Sequence, residues 1–280
     1  MVIAFGLTLQ QLGLATIVVC ALLFILLERR FPCDREQALF RPGFFVDLIG
    51  YGLVQSYLLG LAISWAIAAI DRQTELSHLQ LMAAWPLWLQ CLFFLVVHDL
   101  YIYLFHRAQH ENRYLWRIHE AHHSGRDVDW LSGTRSHALE ILVNQTIEFA
   151  PIVLLGAAPE VALFKGVIDA VWGMYIHANI GVCTGLFQRV LNGPEMHRLH
   201  HARGLPYPGV NFATKLAIWD WMFGTSYLPE RQSCEYGLDG AVDFPTQFVQ
   251  QQWFAFRPQR PDPAEERRAE AFFPAADGGE

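Results

Sequence analysis

The stretch MAAWPLWLQCLFFLVVHDLYIYLFHRAQHENRYLWRIHEAHH, residues 82–123, sets the class of this chain. Its first part, 82–105, is apolar apart from Gln90 and, towards its far end, His98 and Asp99. That is long enough for a membrane-crossing helix, which needs about 20 residues. The run then passes straight into a polar segment holding HRAQH (His106, His110) and HEAHH (His119, His122, His123). A membrane helix that ends in clustered imidazoles is the pattern the rest of the chain must explain.

Working outward, LGLATIVVCALLFILL at 12–27 is a second apolar run reaching back towards Val2. No basic segment precedes it and no small-residue cleavage pattern follows, so it reads as a spanning helix rather than a signal peptide. A third run covers 44–70, with Asp47 and Gln55 as its polar interruptions. Downstream, 141–155 and 161–180 form an apolar pair joined by GAAPE, whose Gly156 and Pro159 break the helix. Each of that pair is marginal as a span, and a re-entrant hairpin is the alternative. The tail from Arg257 is polar and Pro-rich and is expected to be disordered.

Composition agrees. Of 280 residues 53% are hydrophobic, 14% aromatic and only 17% charged, against roughly 25% charged in an ordinary soluble domain. This excludes a disordered chain and a coiled coil, and the net charge of −7 excludes a basic nucleic-acid binder. Five widely spaced cysteines (Cys20, Cys33, Cys91, Cys183, Cys234) contain no C-x-x-C pair, so neither a disulfide framework nor a zinc knuckle is indicated. Basic residues orient the chain. Arg29, Arg30, Arg35 and Arg41 follow the first run, Arg72 alone lies at 71–81, and Arg107, Arg113, Arg117, Arg126 and Arg135 accompany the histidines. The first loop and the histidine segments are therefore expected to face the cytoplasm, with the N-terminus outside and the C-terminus inside.

Twelve histidines occur, eleven of them between His98 and His201, with His78 apart. Besides the two clusters already quoted there is HRLHH (His197, His200, His201). On a helix, positions i, i+3 and i+4 share a face, so each H-x-x-H-H aims its imidazoles at one point. Chance supplies about 0.02 such matches at this histidine content, and two are present. Imidazole suits catalytic first-row metals, and eight ligands exceed the roughly four to six that one ion takes. The boxes therefore suit two metals held between helices.

The order H-x-x-x-H, H-x-x-H-H, H-x-x-H-H on membrane helices resembles the fatty acid hydroxylase superfamily, which includes sterol desaturases, C-4 methylsterol oxidases, fatty acid 2-hydroxylases and alkylglycerol monooxygenase. The resemblance runs from about His98 to Thr225. It is carried by HDLYIYLFHRAQHENRYLWRIHEAHHS, by TRSHALE (134–140), by MYIHANIG (174–181) and by NFATKLAIWDWMFGT (211–225). It implies an all-α polytopic membrane protein with about four to five membrane helices and a cytosolic helical cap over a dimetal centre. It further implies oxygen-dependent hydroxylation or desaturation of a lipid with two non-haem irons, zinc being an alternative occupant in recombinant material. On this basis residues 1–81 form an N-terminal membrane anchor, 82–232 the catalytic domain and 233–280 a polar tail. The expected partners are a membrane lipid substrate, dioxygen and a separate electron donor, either cytochrome b5-like or a ferredoxin with its reductase. No H-P-G-G haem segment or ferredoxin-type cysteine set occurs in the chain.

Further candidates surround the boxes. His98 lies eight residues before His106, two helical turns along the same face, and is expected as a ligand or a supporting residue. The family pattern makes His177 a ligand. His137, three residues before Glu140, fits a histidine–carboxylate pair. Asp99, Glu140, Asn179 and Asn211 are expected to fix imidazole tautomers, whereas Asp220, inside WDW, is read as anchoring Trp219 and Trp221 at the membrane interface. A histidine-rich membrane metal-binding or transport protein is the competing class. It is disfavoured because the ligands gather on one side and no inverted repeat is visible.

Overall fold

The computed structural model describes residues 8–182, 184–205, 209–229, 235–239 and 242–258, and the statements below refer to these. Most of the polar tail, from 259 onward, lies outside them, as do Cys183 and Cys234. The chain is all helical, with two isolated β-bridges and no strand among the described residues.

Three helices are long and apolar enough to cross a membrane. The first, α1 (Leu9–Arg30), starts on a capping box in which Thr8 and Gln11 exchange hydrogen bonds, and ends on Arg29 and Arg30 against its negative dipole end. Leu14, Val18, Leu22 and Leu26 stand exposed along it while Phe24 and Glu28 are buried, the pattern of a helix with lipid on one side. The second, α2 (Val46–Thr74), is π-helical over Val46–Gln55 and α-helical from Ser56. Its wider i→i+5 turns keep Asp47, Tyr51 and Gln55 on one buried stripe. There Asp47 pairs with Arg41 and Arg135, Tyr51 bonds Gln251 and Gln55 donates to the Ser136 carbonyl. The third, α3 (Leu87–Glu111), buries Gln90, Phe94, His98, Asp99, Tyr103, His106 and Gln109 along its inward face.

Against an expected four to five spans, three helices among the described residues have the length and composition to cross. After α4 (Arg113–His123), helices α5 (Ala138–Leu154) and α6 (Pro159–His177) correspond to the marginal apolar pair. Only 17 residues long, α5 carries Glu140 and Glu148, while α6 carries Glu160, Lys165 and Asp169. Charges at this density stop a helix from meeting lipid on all sides, and α6 packs instead against α1, α3 and α5. Short helices α7 (Pro194–His200), α8 (Ile218–Phe223) and α9 (Phe248–Phe254) close the structure.

The anchor is not independent of the rest. Phe24 of α1 and Phe44 share an apolar cluster with Trp130, Leu131, Ala178 and Ile180. Buried Glu28 accepts from the backbone N–H groups of Trp130 and Asn179, at 2.7 and 2.8 Å, which ties α1 to both loops that flank the histidine segments.

Candidate metal centre

Four helices bring nine histidines together in two groups. His106, His110, His119, His123 and His200 form one, and His122, His177, His197 and His201 the other. Within each group one ring nitrogen per residue lies within 4.8 Å of all the others. The two H-x-x-H-H boxes divide reciprocally. The α4 box gives His119 and His123, an i, i+4 pair, to the first group and turns His122 to the second. The box on α7 gives the i, i+4 pair His197 and His201 to the second and His200 to the first. Helix α3 completes the first group with His106 and His110, and the last residue of α6, His177, completes the second.

Five of the rings are aimed by what their other nitrogen holds. His106 Nδ1 bonds the Phe212 carbonyl at 2.7 Å, His200 Nδ1 that of Val210 at 2.7 Å, His122 Nδ1 that of Arg135 at 2.9 Å and His177 Nδ1 that of Gly173 at 2.7 Å. His119 Nδ1 bonds Glu140 Oε1 at 2.9 Å. A carbonyl can only accept, so the Nδ1 atoms of His106, His122, His177 and His200 carry the proton and their Nε2 atoms present a lone pair inward. In the second group His177 Nε2 stands 3.0 to 3.3 Å from the Nε2 atoms of His122, His197 and His201, and those of His197 and His201 are 3.3 Å apart. Four nitrogens on a tetrahedral ion, each 2.0–2.1 Å from it, sit about 3.3 Å from one another. Facing lone pairs at this spacing do not hydrogen-bond one another; they fit a cation. Buried Nε2 atoms of His106 and His119 also lack any hydrogen-bond partner, a costly arrangement unless something binds there. Burial holds His119 down to about 3 and His122 to about 4, and keeps His123, His197, His200 and His201 well below the ordinary imidazole range. These rings are therefore neutral, the form that ligates metal.

The supporting residues act through backbone. Arg135, whose carbonyl holds His122, is fixed by two bonds to Asp47, and Asp47 is shared with Arg41, which also grips Asp129. Asn211, at a left-handed φ of 55°, clamps Met196 of α7 and Tyr227. Asp220 differs from its sequence reading. It is fully buried and accepts from the N–H groups of Phe212 and Ala213 and from Thr225, so it sets the carbonyl that orients His106. Asp99 does the same for the next loop, accepting from Thr214, Lys215, Leu216 and Trp219. The Asn179 side chain bonds the Asp34 backbone in the loop after α1.

The structure does not bring two of the candidate histidines to this centre. His137 caps α5, accepting from Leu139 N–H and bonding the Gln252 carbonyl. His98 belongs to a separate buried group with Glu148 and Asp169, around the ammonium of Lys165. Sequence reasoning missed Glu148, Lys165 and Asp169. Their signal was available as single charges inside apolar runs, which mark working residues in membrane helices.

The family described as fatty acid hydroxylase matches residues 91–225, which hold all nine histidines. An ornithine lipid hydroxylase of Rhizobium tropici is 31% identical over 186 residues, 66% of this chain and 56% of that protein. An alkylglycerol monooxygenase of Danio rerio is 34% identical over 156 residues, 56% of this chain and 33% of that protein. A Delta(7)-sterol 5(6)-desaturase of Aspergillus fumigatus is 24% identical over 258 residues, 80% and 76% of the two chains. The chain thus spans 56% of the first relative and a third of the second. No solved structure matches it.

Proposed function

We propose, from the match of residues 91–225 to the family described as fatty acid hydroxylase, that the protein is a membrane-bound non-haem di-iron enzyme that hydroxylates or desaturates a lipid with dioxygen. The observation that carries this reading is the pair of inward-facing histidine groups, five and four strong, whose lone pairs stand at metal-ligand spacing. Relatives named for hydroxylation of ornithine lipid, alkylglycerol oxidation and sterol desaturation support the lipid substrate. Iron at these positions supplies dioxygen activation. The chain's own contribution is to hold the imidazoles neutral and fixed through Nδ1, to exclude water by burial, and to leave a cavity of about 210 Å³ bordered by His106, His119, His122, His177 and His197. In a hydroxylation the balance is one C–H bond, dioxygen, two electrons and two protons giving C–OH and water. The electrons come from a separate donor, cytochrome b5-like or a ferredoxin with its reductase.

On this proposal the catalytic unit is 82–232, anchored by 1–81, with the histidines on the cytoplasmic side. Three crossings agree with an outside N-terminus and an inside C-terminus. The deciding experiment is metal analysis of the purified chain followed by oxygen uptake, with an added electron donor and its reductase and with product mass spectrometry, on a panel of membrane lipids. Two ions per chain and lipid-dependent uptake that places oxygen or a double bond in the lipid are expected. Folded, iron-loaded protein that consumes no dioxygen with any lipid overturns the proposal.

A further inference from the structure

Among the described residues, two short segments outside the crossing helices expose large apolar side chains together. In the 3₁₀ turn Gly185–Arg189, Leu186 is 76% and Phe187 73% exposed. In α8, Met222 is 63% exposed, and Trp221 and Phe223 are open as well. One surface holds both segments. Trp221 Nε1 donates to the Gln188 carbonyl at 3.1 Å, and the Arg189 guanidinium lies 5.7 Å over the Trp221 ring. An apolar patch of this kind marks a membrane or a protein neighbour rather than bulk water.

Two crossing helices fix the height of the patch. The Phe223 ring stacks on Tyr103 of α3 at 5.2 Å, Thr225 Oγ1 lies 2.9 Å from the Tyr103 hydroxyl, and Trp219 Nε1 donates to Asp99 of α3 at 3.0 Å. Trp88, exposed at the start of α3, is of the residue type that marks a membrane–water boundary. Tyr103 follows it by fifteen residues, about 22 Å along a helix. A hydrocarbon core is about 30 Å thick, so α8 is held beside α3 at a depth where acyl chains still surround the protein. Val97 and Leu104, both exposed, carry the lipid-facing side of α3 past the same level. The other pin is at the end of α1, where Gly181 N–H donates to the Phe31 carbonyl at 2.8 Å, next to Arg29 and Arg30. The patch therefore lies between two crossing helices, on the side to which both bring the histidines. A soluble partner does not reach that depth; lipid does. The Arg189–Trp221 pair suits the boundary, the indole lying among apolar groups while the long arginine reaches towards the headgroups.

We infer that the turn Gly185–Arg189 and α8 are immersed in the leaflet on the histidine side, as a membrane contact that does not cross, and that phospholipid acyl chains are what covers the patch. The contact sits on the connections that carry the metal ligands. The turn lies between His177 and α7, and α8 follows Thr214 and Lys215, which line the cavity under the histidines. The inference rests on α3 crossing a bilayer and not on the oxygenase reading. Full-length wild-type protein in vesicles of phosphatidylcholine and phosphatidylglycerol, doped with a phosphatidylcholine carrying a mid-chain diazirine, is irradiated and the labelled residues are mapped by mass spectrometry. Label at 186–191 and 221–223 is expected, alongside label at Leu22 of α1 and Val97 of α3, with the exposed Arg126 unlabelled. Label on α1 and α3 with none at the two segments overturns the inference. Failure to label α1 and α3 as well defeats the crossing reading and this inference with it, and either result leaves the oxygenase reading to its own test. Phe187→Cys and Met222→Cys are then treated in opened membranes with a charged, membrane-impermeant maleimide, the reaction at each position being read from its own peptide. Modification at least tenfold slower than at Arg126→Cys is expected. Equal rates overturn the inference; slow reaction without lipid label assigns the patch to a protein neighbour and overturns it too.

Discussion

Two levels of one helical bundle use similar residues to opposite ends. At the upper level the Nε2 atoms of His177, His197, His201 and His122 face one another at 3.0 to 3.3 Å, and among the described residues no Lys or Arg side chain bonds to them. At the lower level His98, Glu148 and Asp169 bring their ligand atoms within 4.8 Å of one another, as a metal site does, yet Lys165 places its ammonium against all three. One group needs an external cation; the other carries its own. Proximity of metal-ligating residues therefore does not by itself identify a metal site. What separates the two is whether a fixed positive charge already faces the lone pairs.

The largest effect is expected at His177, the single ligand that α6 adds to the second group. His177→Ala leaves His122, His197 and His201, and metal content should fall from two ions to one per chain. Activity should drop by more than about a hundredfold, the upper end of what loss of an outer partner alone costs. Retention of both ions in folded protein breaks the division into five and four.

Lys165→Ala attacks the comparison from the other side. Removing the ammonium leaves Glu148 and Asp169 facing one another in a buried place, and breaking such a pair costs about 3–5 kcal/mol. With Lys165 gone the lower level also meets the criterion of the upper one. Divalent cation should then restore stability, and metal analysis should give three ions per chain against two in the wild type. A variant that stays at two ions while stability is unaffected by added cation shows that the lower level has no latent metal geometry.

Glu140→Gln is gentler. The amide oxygen can still accept from His119 Nδ1–H, now held at 2.9 Å by the carboxylate, so the ring keeps its direction and loses only the negative charge behind it. Outer partners of this kind are worth about 10–100-fold in metal affinity or activity. A loss in that range, with two ions still bound at saturating metal, sharpens the assignment of Glu140 as a positioning residue. No change in either affinity or rate removes it from the centre.

How much of this was legible follows from the range of each signal. The boxes are local: i, i+3 and i+4 spacing on α4 and α7 shows in five letters, and the chain alone points to His119, His122, His123, His197, His200 and His201. Their division between two groups depends on how α4 and α7 face each other, which no local pattern encodes. His98 was placed on the correct face of α3, but eight residues along a helix is about 12 Å, which is one level too far. Asp220 looked like an interface residue because tryptophans flank it. Its carboxylate instead closes a loop whose N–H donors, on Phe212 and Ala213, precede it by eight and seven residues. The span count is the least legible feature for a composition reason: Glu148, Lys165 and Asp169 are few enough to leave α5 and α6 looking apolar, yet they require a bundle around them.

The smallest effect separates a true outer partner from a histidine that is merely near the pattern. His137 stands three residues before Glu140, and that spacing suggests a shared role at the metals. Its side chain instead accepts from Leu139 N–H at the start of α5 and bonds the Gln252 carbonyl at 2.9 Å, so its work is to cap one helix and hold the segment bearing α9. His137→Ala should therefore cost about 1 kcal/mol of stability, the usual value of a lost N-cap, seen as a lower midpoint in thermal unfolding. Metal content should stay at two ions and affinity should be unchanged. His78→Ala, at an exposed position before α3, sets the baseline, with a stability change within about 0.5 kcal/mol. If His137→Ala loses metal where His78→Ala does not, the upper level extends to the start of α5, and Glu140 reaches the centre together with its capping histidine.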